Sequence, residues 1–470
     1  MPRTRRIAAL AALALLASPL AGRAAEVPTY HGRVSQILRE NCRECHRPGQ
    51  VAPFALLDYE QARKRAGDIA QVTGERAMPP WHASTTVGGP FRDARVLSDA
   101  DIATLANWAE AGAPEGERPA DEPAVEPDGD WPLGTPDLVL KPTEAFELSA
   151  AGRDEFRVFV LPTGLAEGKW IRAIDFRPGN AKVVHHILAA FDASGQARAL
   201  DEADPKPGYS SFAGFGILPG GGLSGWAPGK APRNLPDGVG RYLPARTDLL
   251  LQIHYHKSGK PELDATSIGL YFADKPIDKL LRGGVVAPPR ARGSFRPTLA
   301  IKAGDPNYEV RGSWTAPYQA HLTAVIPHMH WRGKDFRLDA TRPDGSTVPL
   351  LVVDRWDFNW QDTYEFASAV AIPAGTRVDM LAHFDNSADN PANPTVPPVD
   401  VRWGEQTNDE MCLGFLQLTR DDEHLENRPP GRLAPGAARD PRAEKVEAER
   451  ARNVGVLLRI IEQARRLRDR

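Results

Sequence analysis

Ile326-Pro327-His328-Met329-His330-Trp331-Arg332-Gly333-Lys334 continues the apolar run His321 to Ile326. In an extended backbone, side chains alternate between two faces, so His328 and His330, two positions apart, fall on the same one. Two imidazoles on one face form a ready pair of nitrogen ligands. An isolated H-x-H also fits two half-exposed strand histidines, so the surrounding chain has to decide between these readings.

Working outward, the same texture of short apolar runs punctuated by glycine and proline extends over most of the chain. Glu155 to Leu161, Trp170 to Phe176, Lys182 to Phe191, Leu249 to His256 and Thr266 to Phe272 form one set. Phe336 to Thr341, Val348 to Val353, Thr363 to Ile372 and Arg377 to Phe384 join His321 to Ile326 in a second. Their lengths, roughly 4 to 10 residues without a helical period, predict two all-β antiparallel, jelly-roll-like sandwiches over 137–290 and 291–425. The interruption at Pro288, Pro289 and the nearby arginines marks the boundary between them.

Two further histidine stretches lie in the first set. Val183-Val184-His185-His186-Ile187-Leu188 places two histidines side by side, and on a regular strand these point to opposite faces. The backbone must bend or bulge there if both are to hold one ion. Leu251-Gln252-Ile253-His254-Tyr255-His256 places two on one face, and spacing alone does not choose between them. Imidazole-rich sites suit copper, iron, nickel and zinc. A thioether moves the preference toward copper, and Asp409-Glu410-Met411-Cys412 supplies one.

Near the N-terminus, Cys42-Arg43-Glu44-Cys45-His46 is a complete C-x-x-C-H, the attachment signal for c-type haem. Two thiols within one turn can add to the two vinyl groups, and the adjoining histidine reaches the iron. In Ala77-Met78-Pro79-Pro80-Trp81-His82, Met78 is the expected sixth ligand and His82 the second choice. Ser98-Asp99-Ala100-Asp101 reads as a helix start, followed by Ile102, Leu105, Ala106 and Ala109 on one face. Residues 33–117 thus resemble a single-haem cytochrome c domain. The expectation is a small all-α haem domain over 26–117, ahead of a Pro/acidic linker over 118–136.

Composition bounds the rest. The 470 residues carry a net charge of −3, with 41% hydrophobic and 25% charged residues. That describes a soluble chain of about three domains, with no field for nucleic acid. Arg3, Arg5 and Arg6 precede the apolar run Ile7 to Leu20 and small residues at Ala24 and Ala25, a secretory signal over 1–25. The expected location is therefore periplasmic or secreted. No apolar run approaches the roughly 20 residues of a transmembrane helix. With only three cysteines, Cys42, Cys45 and Cys412, the chain has no disulfide framework. In a charged tail over 426–470, Pro441 to Arg468 reads as a helix, with an apolar stripe through Val446, Val454, Leu457, Leu458, Ile461 and Ala464.

Taken together, residues 150–418 resemble the type II copper, ascorbate-dependent monooxygenases, the group of the peptide-amidating hydroxylase and dopamine β-monooxygenase. Four stretches carry the resemblance, in the family's order. They are Val184-His185-His186-Ile187; Gly225-Trp226-Ala227-Pro228-Gly229 running through Leu235-Pro236-Asp237-Gly238 into Leu251-Gln252-Ile253-His254-Tyr255; Pro327-His328-Met329-His330 with Gly333-Lys334; and Asp409-Glu410-Met411-Cys412. The resemblance implies two coppers. One, for electron transfer, is held by His185, His186 and His254; the other, catalytic and oxygen-binding, by His328, His330 and Met411. His256, His321 and His383 fall outside the pattern. The implied reaction is C–H hydroxylation of a small molecule with O₂.

An external donor, ascorbate or a redox protein, would supply electrons, and the haem at His46 and Met78 is expected to pass them to the His185/His186/His254 copper. A non-catalytic haem and copper electron-transfer or copper-binding protein is the alternative. The chain also departs from the family. His383 takes the position of the expected partner of Cys412, leaving a buried free thiol. Ile326 replaces the arginine that peptide-amidating members place before H-x-H, and Phe415 replaces a tyrosine. These changes argue for a less polar substrate than a glycine-extended peptide.

Overall fold

Asp248–Tyr255 is buried at all eight positions, and its neighbours explain why a run of leucine, isoleucine and histidine becomes a strand there. It is the middle strand of a five-stranded sheet ordered Tyr209–Ser210, Glu155–Pro162, Asp248–Tyr255, Val184–Asp192 and Gly221–Trp226. A second five-stranded sheet runs Leu138–Leu140, Ser267–Phe272, Lys169–Arg177, Val239–Leu243 and Lys279–Leu280. Phe159, Ile171, Phe176, Ile187, Leu251 and Leu270, drawn from both sheets, share one core. The computed structural model describes residues 27–48, 52–120, 131–211, 214–228, 230–290, 297–404, 406 and 408–430.

The chain changes sheets at Leu281, earlier than the prolines at 288 and 289. Lys279–Leu280 pairs with Val239–Leu243, whereas Arg282–Val286 pairs with Cys412–Arg420. The third sheet is ordered Arg282–Val286, Cys412–Arg420, Ala320–Met329 and Tyr364–Ile372. The fourth is ordered Tyr308–Thr315, Arg377–Phe384, Gly333–Thr341 and Thr347–Val353. Val325, Met329, Phe336, Leu338, Met380 and Leu418 belong to their common core. The strands alternate as an amphipathic sheet should: Arg377–Phe384 buries Val378, Met380, Ala382 and Phe384.

The expected fold class needs correction. The described residues are mostly β, 37% strand against 12% helix, and residues 26–117 are not a separate all-α cytochrome c domain. Four helices, Ser35–Asn41, Tyr59–Arg63, Ala66–Gly74 and Asp99–Glu110, gather around Val34, Ile37, Leu105 and Trp108. Ser98 caps the last as its sequence suggests, its Oγ accepting from the Asp101 N–H at 3.1 Å. Between the third and fourth helices, however, the chain leaves this group and joins the β body.

Ala83 bridges to Val353 and Phe91 to Phe366, the Ser84 N–H donates to the Val352 carbonyl at 2.7 Å, and Ala83 lies in the core of the third and fourth sheets. The physical reason is that helices of 5 to 12 residues enclose too little apolar surface to cover Trp81 and Phe91, which pack instead against that core. The signal segment 1–25, linker residues 121–130 and the helix expected over Pro441 to Arg468 lie outside the described residues. Among those described, no helix is long and apolar enough to cross a membrane.

Cys412 is buried and free, and burial pushes its thiol well above the ordinary range. Its sulfur meets Met380 Sδ at 3.8 Å. His383 points to the other face of its strand, its Nδ1 bonded to Asp335 at 2.7 Å, so Met380 rather than His383 faces Cys412.

Candidate metal centre

The bulge required of adjacent histidines is present. Val184 pairs with Tyr255, and the register then shifts so that His186 pairs with His254, leaving His185 as the extra residue. His185 Nδ1 and His186 Nδ1 are 3.2 Å apart, His186 Nδ1 and His254 Nδ1 3.3 Å, and the three residues' ligand atoms lie within 4.8 Å of one another. Nitrogens bonded at about 2.0–2.1 Å to one tetrahedral ion would be separated by roughly 3.3 Å.

His254 Nε2 bonds to Asp154 Oδ2 at 3.0 Å, and its ring stacks on Phe156 at 4.2 Å. The carboxylate keeps the proton on Nε2 and turns the Nδ1 lone pair toward the other two rings. Burial, reinforced by the neighbouring imidazoles, holds His185 and His186 well below the usual histidine pKa, so both stay in the neutral, ligating form. His256 is exposed and outside this group, its ring centroid 6.4 Å from that of His185.

His328 and His330 form a second pair, ring centroids 5.3 Å apart. His328 Nδ1 bonds to Gln361 Oε1 at 2.6 Å, and His330 Nδ1 to the Asp409 carbonyl at 3.0 Å. Each partner accepts the Nδ1 proton and leaves Nε2 unprotonated for a metal. Burial pushes His330 down to about 3 and lowers His328. Met329 pairs with Cys412 and His328 with Leu413 at the end of this ladder, and Met411 is the residue next to Cys412 in the chain.

Beneath this pair lies a buried polar anchor. Glu410 accepts from the His330 N–H at 2.9 Å and the Arg332 N–H at 2.7 Å, with the Arg332 guanidinium 3.8 Å away and both residues 0% exposed. Arg332 also donates to Asn386, the Asn408 carbonyl and Thr395. Burial raises the Glu410 carboxyl to about 8. Sequence reasoning missed this pair, although charged residues flanking both H-x-H and the methionine were its visible trace.

It also missed the loop between Val353 and Tyr364. Phe358 stacks on His185 at 4.7 Å and 20°, and lies 5.7 Å from His330 and 4.6 Å from Trp331. The two histidine groups thus stand on either side of one phenylalanine. Trp356 Nε1 donates to the His330 carbonyl at 3.0 Å. Beside His328 the sheet surface is apolar: Ile326 pairs directly with Phe415, whose ring is 6.4 Å from that of His328.

In the N-terminal segment, His46 Nδ1 bonds to the Phe54 carbonyl at 3.1 Å, leaving Nε2 as the free ring nitrogen. Cys42 and Cys45 are half-buried, and burial pushes their thiols up to about 12 and about 11. Met78, the expected sixth ligand, is 42% exposed. His82 is partly buried, and its Nε2 is enclosed without a hydrogen-bond partner.

No family model matches the chain. It is similar to DBH-like monooxygenase protein 1 of Gallus gallus, 24% identical over 209 residues that cover 41% of this chain. The match spans about a third, 32%, of that relative's length. Among solved structures, the major capsid protein P2 of bacteriophage PM2 aligns with a TM-score of 0.24 and 9% identity over 60% of this chain and 97% of that one. The VP2 subviral particle of infectious bursal disease virus aligns at 0.17 and 12% over 67% and 77%. Likeness at this level carries no argument about the fold.

Proposed function

We propose that the chain is a copper-dependent monooxygenase that hydroxylates a C–H bond of a small-molecule substrate with O₂, its electrons passing through a c-type haem attached at Cys42 and Cys45. The observation that carries the reading is the matched preparation of two donor sets. In the first, the ligand atoms of three imidazoles lie within 4.8 Å of one another, and in the second, acceptors on Nδ1 of both histidines leave Nε2 unprotonated. His185, His186 and His254 would hold one copper through Nδ1. His328 and His330 would hold the second through Nε2, with Met411 supplying the thioether that favours copper over zinc. The similarity to a monooxygenase points the same way, coarsely.

Bound copper supplies one-electron redox chemistry and O₂ activation. The protein's own residues hold and orient. Asp154, Gln361 and the Asp409 carbonyl fix three of the ring tautomers, the Glu410/Arg332 pair fixes the backbone after His330, and Phe358 fills the space between the two groups. Ile326 and Phe415 offer an apolar wall beside His328, suited to an alkyl or aryl substrate and unsuited to a carboxylate. For the haem, the Phe54 carbonyl engages His46 Nδ1 and leaves Nε2 as the nitrogen that would hold the iron. Ascorbate or a redox protein would reduce it, in an exported location where such attachment is made.

The test is copper and haem analysis of the purified chain with substrate-dependent O₂ uptake over a panel of phenethyl, alkyl and peptidyl compounds. Two coppers, one haem and turnover with the less polar members are expected. Both metals without turnover on any member would instead assign a non-catalytic haem and copper electron-transfer protein.

A further inference from the structure

A set of side chains between the N-terminal segment and the loop after Val353 has no role in the two histidine groups. Arg95 is its centre. Its guanidinium pairs with Asp362, both largely buried, donates to the Pro80 carbonyl at 3.4 Å and lies over the rings of Trp81 and Trp360 at 5.9 and 5.2 Å. Arg95 and Asp362 also lie close enough to Cys45 to act on its thiol. The C-x-x-C-H segment and Pro80-Trp81-His82 therefore converge on one place.

Three enclosed nitrogens there have no hydrogen-bond partner: Trp81 Nε1, Trp360 Nε1 and His82 Nε2. Orphaned buried polar atoms are rare in a folded chain, and two indole N–H groups beside Arg95, with His82 Nε2 near its partner Asp362, call for a polar ligand. His82 repeats the arrangement of His46. Its ring bonds to a backbone carbonyl, that of Arg355, while Nε2 is left bare. Met78, in contrast, is 42% exposed at the edge of this region.

We infer that the haem attached at Cys42 and Cys45 takes His82, and not Met78, as its second axial ligand opposite His46. This rests on the haem reading above. A porphyrin held there would meet Trp81 and Trp360, whose indole N–H groups suit its carboxylates, beside the Arg95 guanidinium already paired with Asp362. It would also lie against the loop whose Gln361 bonds His328, which places the haem next to the H-x-H pair.

The test is absorption and electron paramagnetic resonance spectroscopy of the full-length holoprotein, without any assay of turnover. The ferric wild type is expected to be low-spin with a bis-imidazole signature and without the near-infrared thioether-to-iron charge-transfer band. Met78→Leu should leave that spectrum unchanged, and His82→Ala should convert it to high-spin. A thioether band in the wild type that Met78→Leu abolishes would overturn the assignment, and so would a His82→Ala protein that stays low-spin. The wild-type spectrum alone decides between the ligands if His82→Ala fails to fold. Absence of covalently bound haem after denaturation would instead refute the haem reading itself, and the axial assignment with it.

Discussion

Glu410 shows how one side chain can set the geometry of a site through the backbone. It satisfies the backbone N–H groups of His330 and Arg332 and lies 3.8 Å from the Arg332 guanidinium, all out of water. Glu410→Ala leaves the buried N–H groups of His330 and Arg332 without their acceptor and should cost about 3 kcal/mol in urea denaturation. Asp175 makes a pH-dependent contribution. Burial outweighs the Arg177 guanidinium 3.1 Å away and raises the carboxyl from 3.8 to about 6. The folded chain therefore keeps a proton that the unfolded chain has already released. That stabilisation is complete below pH 3.8 and is lost as pH rises through about 6. Asp175→Asn should flatten the fall in denaturation midpoint across this window, and an unchanged slope would contradict the assignment.

At the scale of elements, the centre is assembled by a bulge, a strand pair and a loop, and these differ in how far the sequence announced them. Period-two spacing places His328 and His330 on one face, and the need for a bulge follows from His185 and His186 being adjacent; both are local properties of one strand. The loop from Asp354 to Asp362 is different. Phe358, Gln361 and Trp356 act across the fold on residues from 26 to more than 170 positions away, and no local pattern encodes such pairing. Gln361 is the sharpest test of that loop. Gln361→Ala removes the acceptor that fixes the His328 tautomer, and should weaken copper at the His328/His330 group by about 10–100-fold. Copper titration should find the His185 group unchanged.

At the scale of the molecule, a chain expected to carry a separate haem domain has its N-terminal helices stitched into the β body. The C-x-x-C-H motif was legible because its chemistry is local, whereas the destination of Trp81, Ala83 and Phe91 was not, since an apolar residue does not name its partner. Two consequences follow from the stitching. With haem attached as proposed, its absorbance and β-sheet circular dichroism should be lost in one thermal transition rather than two. Phe91→Ala, which removes a half-buried ring packed on Tyr364 and Phe366, should lower that transition for both probes together, with a cost of about 2 kcal/mol, below the roughly 3–5 of a fully buried phenylalanine. Separate transitions would mean that the segment 81–92 does not couple the two parts.

The central claim is that this chain prepares two distinct copper sites. Copper titration followed by electron paramagnetic resonance on the wild type, His186→Ala and His328→Ala tests it most directly. Two imidazole-ligated ions per chain are predicted for the wild type and one for each variant, the surviving signal differing between the two. A single ion in the wild type, or the loss of both ions in either variant, would contradict the account.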